Sequence, residues 1–443
     1  MNIHFIGIGG IGVSALAQYY LANGDRVSGS DLVDSDIIKL LKKKGAKIFI
    51  GEHKASNLKN DVNLVICSPA ISQSNPEVIR AKKLKIKIKT YPQTLGELTK
   101  KYFTIAVSGM HGKSTISAMV SLILENAGLD PTVIIGTKLK EFNNSNFRKG
   151  KSQYLVIEAD EYRASFLNYF PKIIILTNIE KEHLDFYKNL DHILNTFKKY
   201  ILRLPQDGFL IANKDDKNIQ KILSVKPVNY QFKIKFYSLN QKDTKKLKKI
   251  LKIPGNHNVS NALAALTLAR VLNISDKISF NTLANYKGAW RRFEIINPDK
   301  NWYLRGSKPK ITLISDYAHH PTEIKSTIQA AKEKFPKRRL WVIFQPHQYQ
   351  RTKKLFSDFT QAFNSADKII LTEIFDVAGR EKNKDISSND LKEAILKKNH
   401  EKEIYFIKNW RDIPSFLKPK LKKDDVVLIM GAGDIYKIIF NFK

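Results

Sequence analysis

Short apolar runs alternate along the chain with longer stretches whose apolar residues recur at helical spacing. Runs at 2–5, 26–28, 47–49, 64–67 and 86–90 predict strands, and the stretches 13–23, 36–44 and 76–83 between them predict helices. A further run at 102–107 precedes Ile116, Met119, Val120, Ile123 and Leu124, which fall on one face of a helix over 116–127. The alternation resumes with strands at 153–157, 173–176, 312–315, 340–344, 368–371 and 426–430, and with an apolar helix over 259–272. Strands alternating with helices predict parallel sheets whose crossovers lie on their faces, and ligands then gather at the carboxyl ends of the strands.

Two glycine motifs sit at such strand ends. Gly7-Ile8-Gly9-Gly10-Ile11-Gly12 follows the first strand, and Asp31 lies about 20 residues beyond it. Alone, this motif specifies a phosphate beside a helix N-terminus and is compatible with a nicotinamide dehydrogenase. The second motif, Ser108-Gly109-Met110-His111-Gly112-Lys113-Ser114-Thr115, lies between a strand and a helix, as a phosphate-binding loop requires. Gly109 and Gly112 let backbone N–H groups turn toward phosphate oxygens, Lys113 reaches the outer phosphates, and Ser114 offers a hydroxyl to Mg²⁺. Two residues separate these glycines, where the common loop has four. The expected fold class is α/β in three domains: a Rossmann-like domain over 1–97, a P-loop-type central ATPase domain over 98–292 and a Rossmann-like domain over 293–443.

Further polar clusters end other strands. Glu158-Ala159-Asp160-Glu161 closes one, and Thr177-Asn178-Ile179-Glu180 closes another, with His183 just beyond. Glu158 and His183 are candidate Mg²⁺ ligands, although a histidine is an unusual partner for so hard an ion and would otherwise read as a surface residue before a helix. Asn256 and His257 lie in a turn before the apolar helix, where they serve equally as a cap or as a base or phosphate contact. Arg291-Arg292 suits a phosphate clamp or a hinge. Asp316-Tyr317-Ala318-His319-His320 and Gln345-Pro346-His347-Gln348-Tyr349-Gln350-Arg351 add a polar rim in the last third, without the i, i+4 histidine pair of a helical zinc site.

Composition narrows the choice. The 443 residues are too many for one core, and 43% hydrophobic with 26% charged is ordinary for a globular protein. No apolar run approaches the roughly 20 residues of a membrane span. The start at Met1 carries no basic leader, and the single Cys67 fits a reducing cytoplasm. The net charge of +33 raises nucleic-acid binding, but the lysines are dispersed. The densest run, 245–252, spaces them around Leu247, Ile250 and Leu251 as a solvated helix face, so no nucleic-acid partner is expected.

Taken in order, G-I-G-G-I-G, G-M-H-G-K-S-T, E-A-D-E, T-N-I-E-x-x-H, G-N-H-N-V-S-N, R-R-F-E, D-Y-A-H-H-P, F-Q-P-H-x-Y-x-R-T and M-G-A-G-D-I resemble the motifs of the Mur ligases across essentially the whole chain. These are ATP-dependent amide-forming enzymes of peptidoglycan precursor synthesis. The resemblance implies that L-alanine is joined to the lactyl carboxylate of UDP-N-acetylmuramate through an acyl phosphate, with ATP and Mg²⁺. The alternative is the joining of recycled murein tripeptide to the same sugar nucleotide. By the same resemblance Gly7, Gly9, Gly10, Ile11, Gly12, Asp31, Ser68 and Asn178 hold the UDP-sugar, so the first motif is not a nicotinamide site. Gly109, His111, Gly112, Lys113, Ser114 and Thr115 serve the ATP phosphates, and Ser114, Glu158 and His183 the metal. Asn256 and His257 lie near adenine, Arg292 near phosphate and Asp316 near ribose, while His319 and Arg351 face the amino acid. Lys113, Glu158, His183, Arg292, His319 and Arg351 are thereby implied as catalytic. The chain departs from the family at Met110, where Thr is usual, at Ser114, where Thr is common, and at Gln348, where an arginine is usual.

Overall fold

The computed structural model describes residues 1–224, 230–296, 311–376 and 384–442. Three sheets form the cores of three α/β domains. The first contains β1 (Asn2–Ile6), β2 (Arg26–Asp31), β3 (Lys47–Ile50), β4 (Leu64–Cys67) and β5 (Lys87–Thr90), in the order β3-β2-β1-β4-β5, all parallel. Central β1 and β4 are apolar on both faces, as a sheet covered on both sides requires, and Phe5, Ile6, Val65 and Ile66 are fully buried. Helix Asp36–Lys43 starts on a Ser35 cap, and helix Pro76–Lys83 on an Asn75 cap with proline in its first turn. A helix over Tyr91–Thr99 was not expected. Its signal is the capping box Thr90…Gln93, which periodicity alone does not register.

The second sheet is built from β6 (Phe103–Ser108), β7 (Thr132–Leu139), β8 (Ser145–Arg148), β9 (Tyr154–Ala159), β10 (Ile173–Leu176), β11 (Phe209–Asn213) and β12 (Lys233–Tyr237). The order is β12-β11-β10-β6-β9-β7-β8, with β8 antiparallel to β7 and the other pairs parallel. β8, with sequence S-N-F-R, shows no apolar run because its polar side chains serve the neighbouring domain. Helix Ile11–Ala22 packs on β7 and β8. Buried Gln18 donates to Asn146 Oδ1 at 2.8 Å and accepts from Ser145 Oγ at 3.0 Å and Lys44 Nζ at 2.7 Å. Asn146 Nδ2 in turn donates to the Ile11 carbonyl at 2.5 Å and to Ser14 Oγ at 3.1 Å. These bonds bind the first two sheets into one compact unit comprising Met1–Glu182, Phe186–Asp243 and Asn261–Ala284.

A second compact unit comprises His183–Asp185, Thr244–Ser260 and Asn285–Lys443. Its sheet contains β13 (Glu294–Ile296), β14 (Thr312–Asp316), β15 (Leu340–Phe344), β16 (Lys368–Leu371), β17 (Glu403–Phe406) and β18 (Val426–Met430). The order is β13-β14-β18-β15-β16-β17, and only the β13 pairing is antiparallel. Side chains of β15 alternate between two cores: Leu340, Val342 and Phe344 enter one, Trp341 and Ile343 the other. Among the described residues no helix is long and apolar enough to cross a membrane.

The Gln18–Asn146 pair carries a prediction. Asn146→Ala leaves the buried Gln18 amide nitrogen without its acceptor, while the Ile11 carbonyl keeps the Ser14 hydroxyl at 2.9 Å. It is expected to lower the unfolding free energy by roughly 1–3 kcal/mol. A lower urea midpoint at unchanged slope would register this loss.

Candidate functional site

The phosphate loop leaves β6 with Gly109 at φ +124° and Gly112 at φ +86°. A Cβ at Gly109 would lie 2.1 Å from Thr177 Oγ1, and one at Gly112 would lie 2.6 Å from Asn261 Oδ1, so both glycines are required by space as well as by φ. Gly112 is the N-cap of helix Lys113–Asn126 and gives it no side-chain cap. The first N–H groups of that helix therefore face the loop, as in an anion site. Asn178 clamps the loop from β10. Its Oδ1 accepts from His111 N at 2.9 Å, its Nδ2 donates to His111 O at 3.2 Å, and Thr177 Oγ1 donates to the same carbonyl at 2.7 Å. Asn178, expected at the sugar nucleotide, here holds the phosphate loop.

Lys113 lies across this loop. Its Nζ donates to Gly109 O at 2.6 Å and to the Glu161 carboxylate at 2.8 Å. Burial works against the ammonium, but Glu161 and Asp160, helped by Glu158, outweigh it and raise the lysine above its usual range. Glu161 is itself buried, and its backbone carbonyl accepts from Tyr187 Oη at 2.5 Å. Glu161 stood in the acidic cluster without an assigned role, and only its pairing across strand ends identifies it. Ser114 Oγ donates to Glu158 Oε2 at 3.0 Å, while Glu158 Oε1 accepts from Gly136 N at 2.6 Å. Thr115 is buried in the same first turn.

At the end of the first sheet, Gly9 N donates to Asp31 Oδ2 at 2.8 Å, and Gly7 N to Ser30 O at 2.9 Å. A Cβ on Gly7 would approach Ser68 Cβ to 2.9 Å. Gly7, Gly9, Asp31 and Ser68 thus converge. Gly10 caps helix Ile11–Ala22 without a side chain, the Ile11 carbonyl takes the Asn146 bond, and Gly12 lies under the Tyr91 ring. Beneath this loop the buried Glu77 accepts from Ser30 Oγ and from Asn57 Nδ2, each at 2.8 Å, and pairs with His4 at 2.8 Å. Burial raises its pKa, but these bonds prevail and hold it below the usual range.

The second unit gathers the remaining candidates. The helix expected from residue 259 begins earlier, at Asn256–Val271, because Gly255 at φ +96° ends the preceding turn. Asn256 and His257 are therefore in its first turn, not before it. Burial lowers His257 to about 4 against the pull of Glu323, so its imidazole is neutral at neutral pH. The two adjacent arginines divide their work. Arg291 is buried, donates to the Gly431 carbonyl and lies over the Tyr317 and Tyr436 rings at 4.7 and 4.5 Å. Arg292 lies over Tyr317 at 4.9 Å. Asp316 accepts from Phe293 N at 2.7 Å and Ala318 N at 2.8 Å. His319 Nδ1 lies 3.2 Å from Glu323, which closes a capping box with His320. Arg351 Nη1 bonds His347 Nδ1 at 3.0 Å, and the His347 ring lies 6.0 Å from that of His319 and stacks on Phe375. Gln348 adopts φ +74°. His183, also at positive φ, groups with this unit and Glu158 with the other; no helix starts at His183, the next being Leu190–Ile201.

A glycine loop opening an uncapped helix, with lysine, hydroxyl and carboxylates at neighbouring strand ends of one sheet, defines a nucleotide-phosphate-binding enzyme scaffold. The model of the Mur ligase family catalytic domain matches residues 2–103, that of the Mur ligase middle domain 107–269, and that of the Mur ligase glutamate ligase domain 291–433. UDP-N-acetylmuramate–L-alanine ligases of Clostridium botulinum (strain Langeland) and Clostridium acetobutylicum are each 42% identical to this chain, over 99% of it and 96% of their own length. Among solved structures, the UDP-N-acetylmuramate–alanine ligase of Thermotoga maritima superposes with a TM-score of 0.82 at 29% identity, covering 100% of this chain and 98% of that one. A murein peptide ligase of Psychrobacter arcticus gives 0.73 at 25%, over 100% and 98%. The chain belongs to the Mur ligase family.

Asp316 generates a pH prediction. Burial raises its carboxyl from 3.8 to about 6, against the lowering by Arg292 and the two backbone donors. The folded state then holds the proton more tightly than the unfolded one. Its contribution to stability is present below about pH 4 and lost as pH rises through about 6. Asp316→Asn is expected to flatten that decline, read as the urea midpoint at intervals from about pH 4 to 7.

Proposed function

We propose that this chain is an ADP-forming ligase joining L-alanine to the lactyl carboxylate of UDP-N-acetylmuramate through an acyl phosphate, in peptidoglycan precursor synthesis in the cytoplasm. The observation that carries this reading is the loop itself. Lys113 is held charged, and Ser114 and Glu158 present hard oxygen donors 3.0 Å apart. It stands in a chain 42% identical over nearly its full length to enzymes named for that reaction. The murein peptide ligase offers a second substrate reading, and its lower TM-score and identity favour alanine.

In this reading residues 1–97 take the sugar nucleotide, 98–292 ATP and 293–443 the amino acid. Gly7 to Gly12, with Asp31 and Ser68, cradle the UDP diphosphate. Gly109, His111, Gly112 and Thr115 offer backbone donors to the ATP phosphates, with Asn256 and His257 at the base and Asp316 at the ribose. Ser114, Glu158 and His183 suit Mg²⁺, which when bound supplies positive charge against phosphate oxygens. Lys113 and Arg292 neutralise charge on the transferring phosphoryl group. His319 and Arg351 receive the amino acid, with His347 orienting the guanidinium.

ADP release should require UDP-N-acetylmuramate, Mg²⁺ and L-alanine together, and tripeptide should not replace alanine. Turnover without the sugar nucleotide would reject the assignment. Lys113→Ala is expected to reduce turnover by several orders of magnitude, since a single electrostatic contact of this kind is worth about 3–4 kcal/mol. A variant within a few-fold of wild type would remove the loop from the chemistry. Gln348→Arg restores the family's second cation and should lower the KM for L-alanine about tenfold, with KM for ATP and the sugar nucleotide unchanged. An unchanged alanine KM would move the amino-acid carboxylate away from this segment.

A further inference from the structure

Tyr91 opens the helix Tyr91–Thr99, in the short connection between the first two sheets. Nothing in its motif context marks it. Its ring lies against the last glycine of the first motif: a Cβ on Gly12 would lie 2.9 Å from both Cζ and Oη of Tyr91. The loop beneath it is fixed, because Asn146 holds the Ile11 carbonyl and the Ser14 hydroxyl. Asn146 is on β8, which pairs with β7, and β7 pairs with β9, the strand that ends in Glu158 and Ala159. The helix that Tyr91 opens packs on residues 162–168, directly after Asp160 and Glu161, so the tyrosine lies close to both the sugar-nucleotide loop and this acidic segment, all within one compact unit.

Among the described residues none exchanges a hydrogen bond with Tyr91 Oη, whereas the Tyr187 phenol donates to the Glu161 carbonyl. Burial, reinforced by the Glu158 and Asp160 charges, raises the Tyr91 phenol well above its ordinary range and keeps it a donor. A neutral donor suits this place. A lysine or arginine here would pair with Glu158 or Asp160, whereas a phenol can serve an incoming anion without neutralising the acids that a metal needs.

We propose that Tyr91 Oη donates a hydrogen bond to the carboxylate of the acidic sugar nucleotide bound at the first glycine motif. In this role Tyr91 selects a sugar that carries an acid over one that does not and aims the carboxylate toward the phosphate loop. The inference rests on the sugar-nucleotide reading of the first motif. It concerns binding, so its test does not need turnover.

The test is calorimetric binding of UDP-N-acetylmuramate and of UDP-N-acetylglucosamine, which lacks the lactyl acid, to the full chain and to Tyr91→Phe. Phenylalanine keeps the ring on Gly12 and removes only the hydroxyl. The Kd for UDP-N-acetylmuramate is expected to weaken about tenfold or more, as for loss of a charge-assisted bond, with the Kd for UDP-N-acetylglucosamine within twofold. An unchanged Kd for the acidic sugar overturns the proposal. So does equal weakening of both ligands, which would make the hydroxyl a support of the loop. If neither nucleotide binds the wild-type chain, the sugar-nucleotide reading itself fails, which is a different outcome from binding without discrimination.

Discussion

The phosphate loop passes so close to its neighbours that two of its residues have no room for a side chain. At Gly109 and Gly112 the backbone turns through positive φ within reach of Thr177 and Asn261, and the rest of the site is set by that path. The turn aims the uncapped end of helix Lys113–Asn126 at the loop's concavity, and it brings the Lys113 ammonium back over the Gly109 carbonyl. It also sets Ser114 against Glu158. A looser loop would leave these donors in water, where their separate attraction for phosphate is much weaker.

Charge around the loop is arranged to be held, not merely present. Lys113 is kept protonated by Glu161, which is buried and anchored through its own backbone by Tyr187. In the second unit Arg291 is enclosed by aromatic rings, and burial lowers it to about 10, so it acts as a packed strut, while the neighbouring Arg292 lies over the Tyr317 ring. His257 is kept neutral by burial in the same unit. Each group has the protonation state its surroundings impose, and those surroundings come from residues far away in sequence.

This distance divides what was legible from what was not. The glycine loops were readable because the demand for positive φ is local and glycine meets it. The central strands were readable because a strand buried on both faces is apolar throughout. β8 was not, since its buried polar residues satisfy another domain. Nor was the start of the helix at Asn256, which depends on Gly255 and not on apolar period. Glu161 and His347 stood inside recognised motifs and Glu323 just beyond one, yet their roles follow from pairings that only folding creates. Asn178 was legible as a strand-end polar residue, but its clamp on His111 was not.

The Gln18–Asn146 bond joins residues 128 positions apart, on elements of two different domains. The two amides complete one buried network that also takes in Ser14, Ser145 and Lys44. A change at one position is therefore felt at the other. Recombination that replaced the first domain with that of a distant relative would carry one half of the lock into a partner built for another. The first two domains are recognisable as separate folds, but this shared network makes them one unit to a substitution in either.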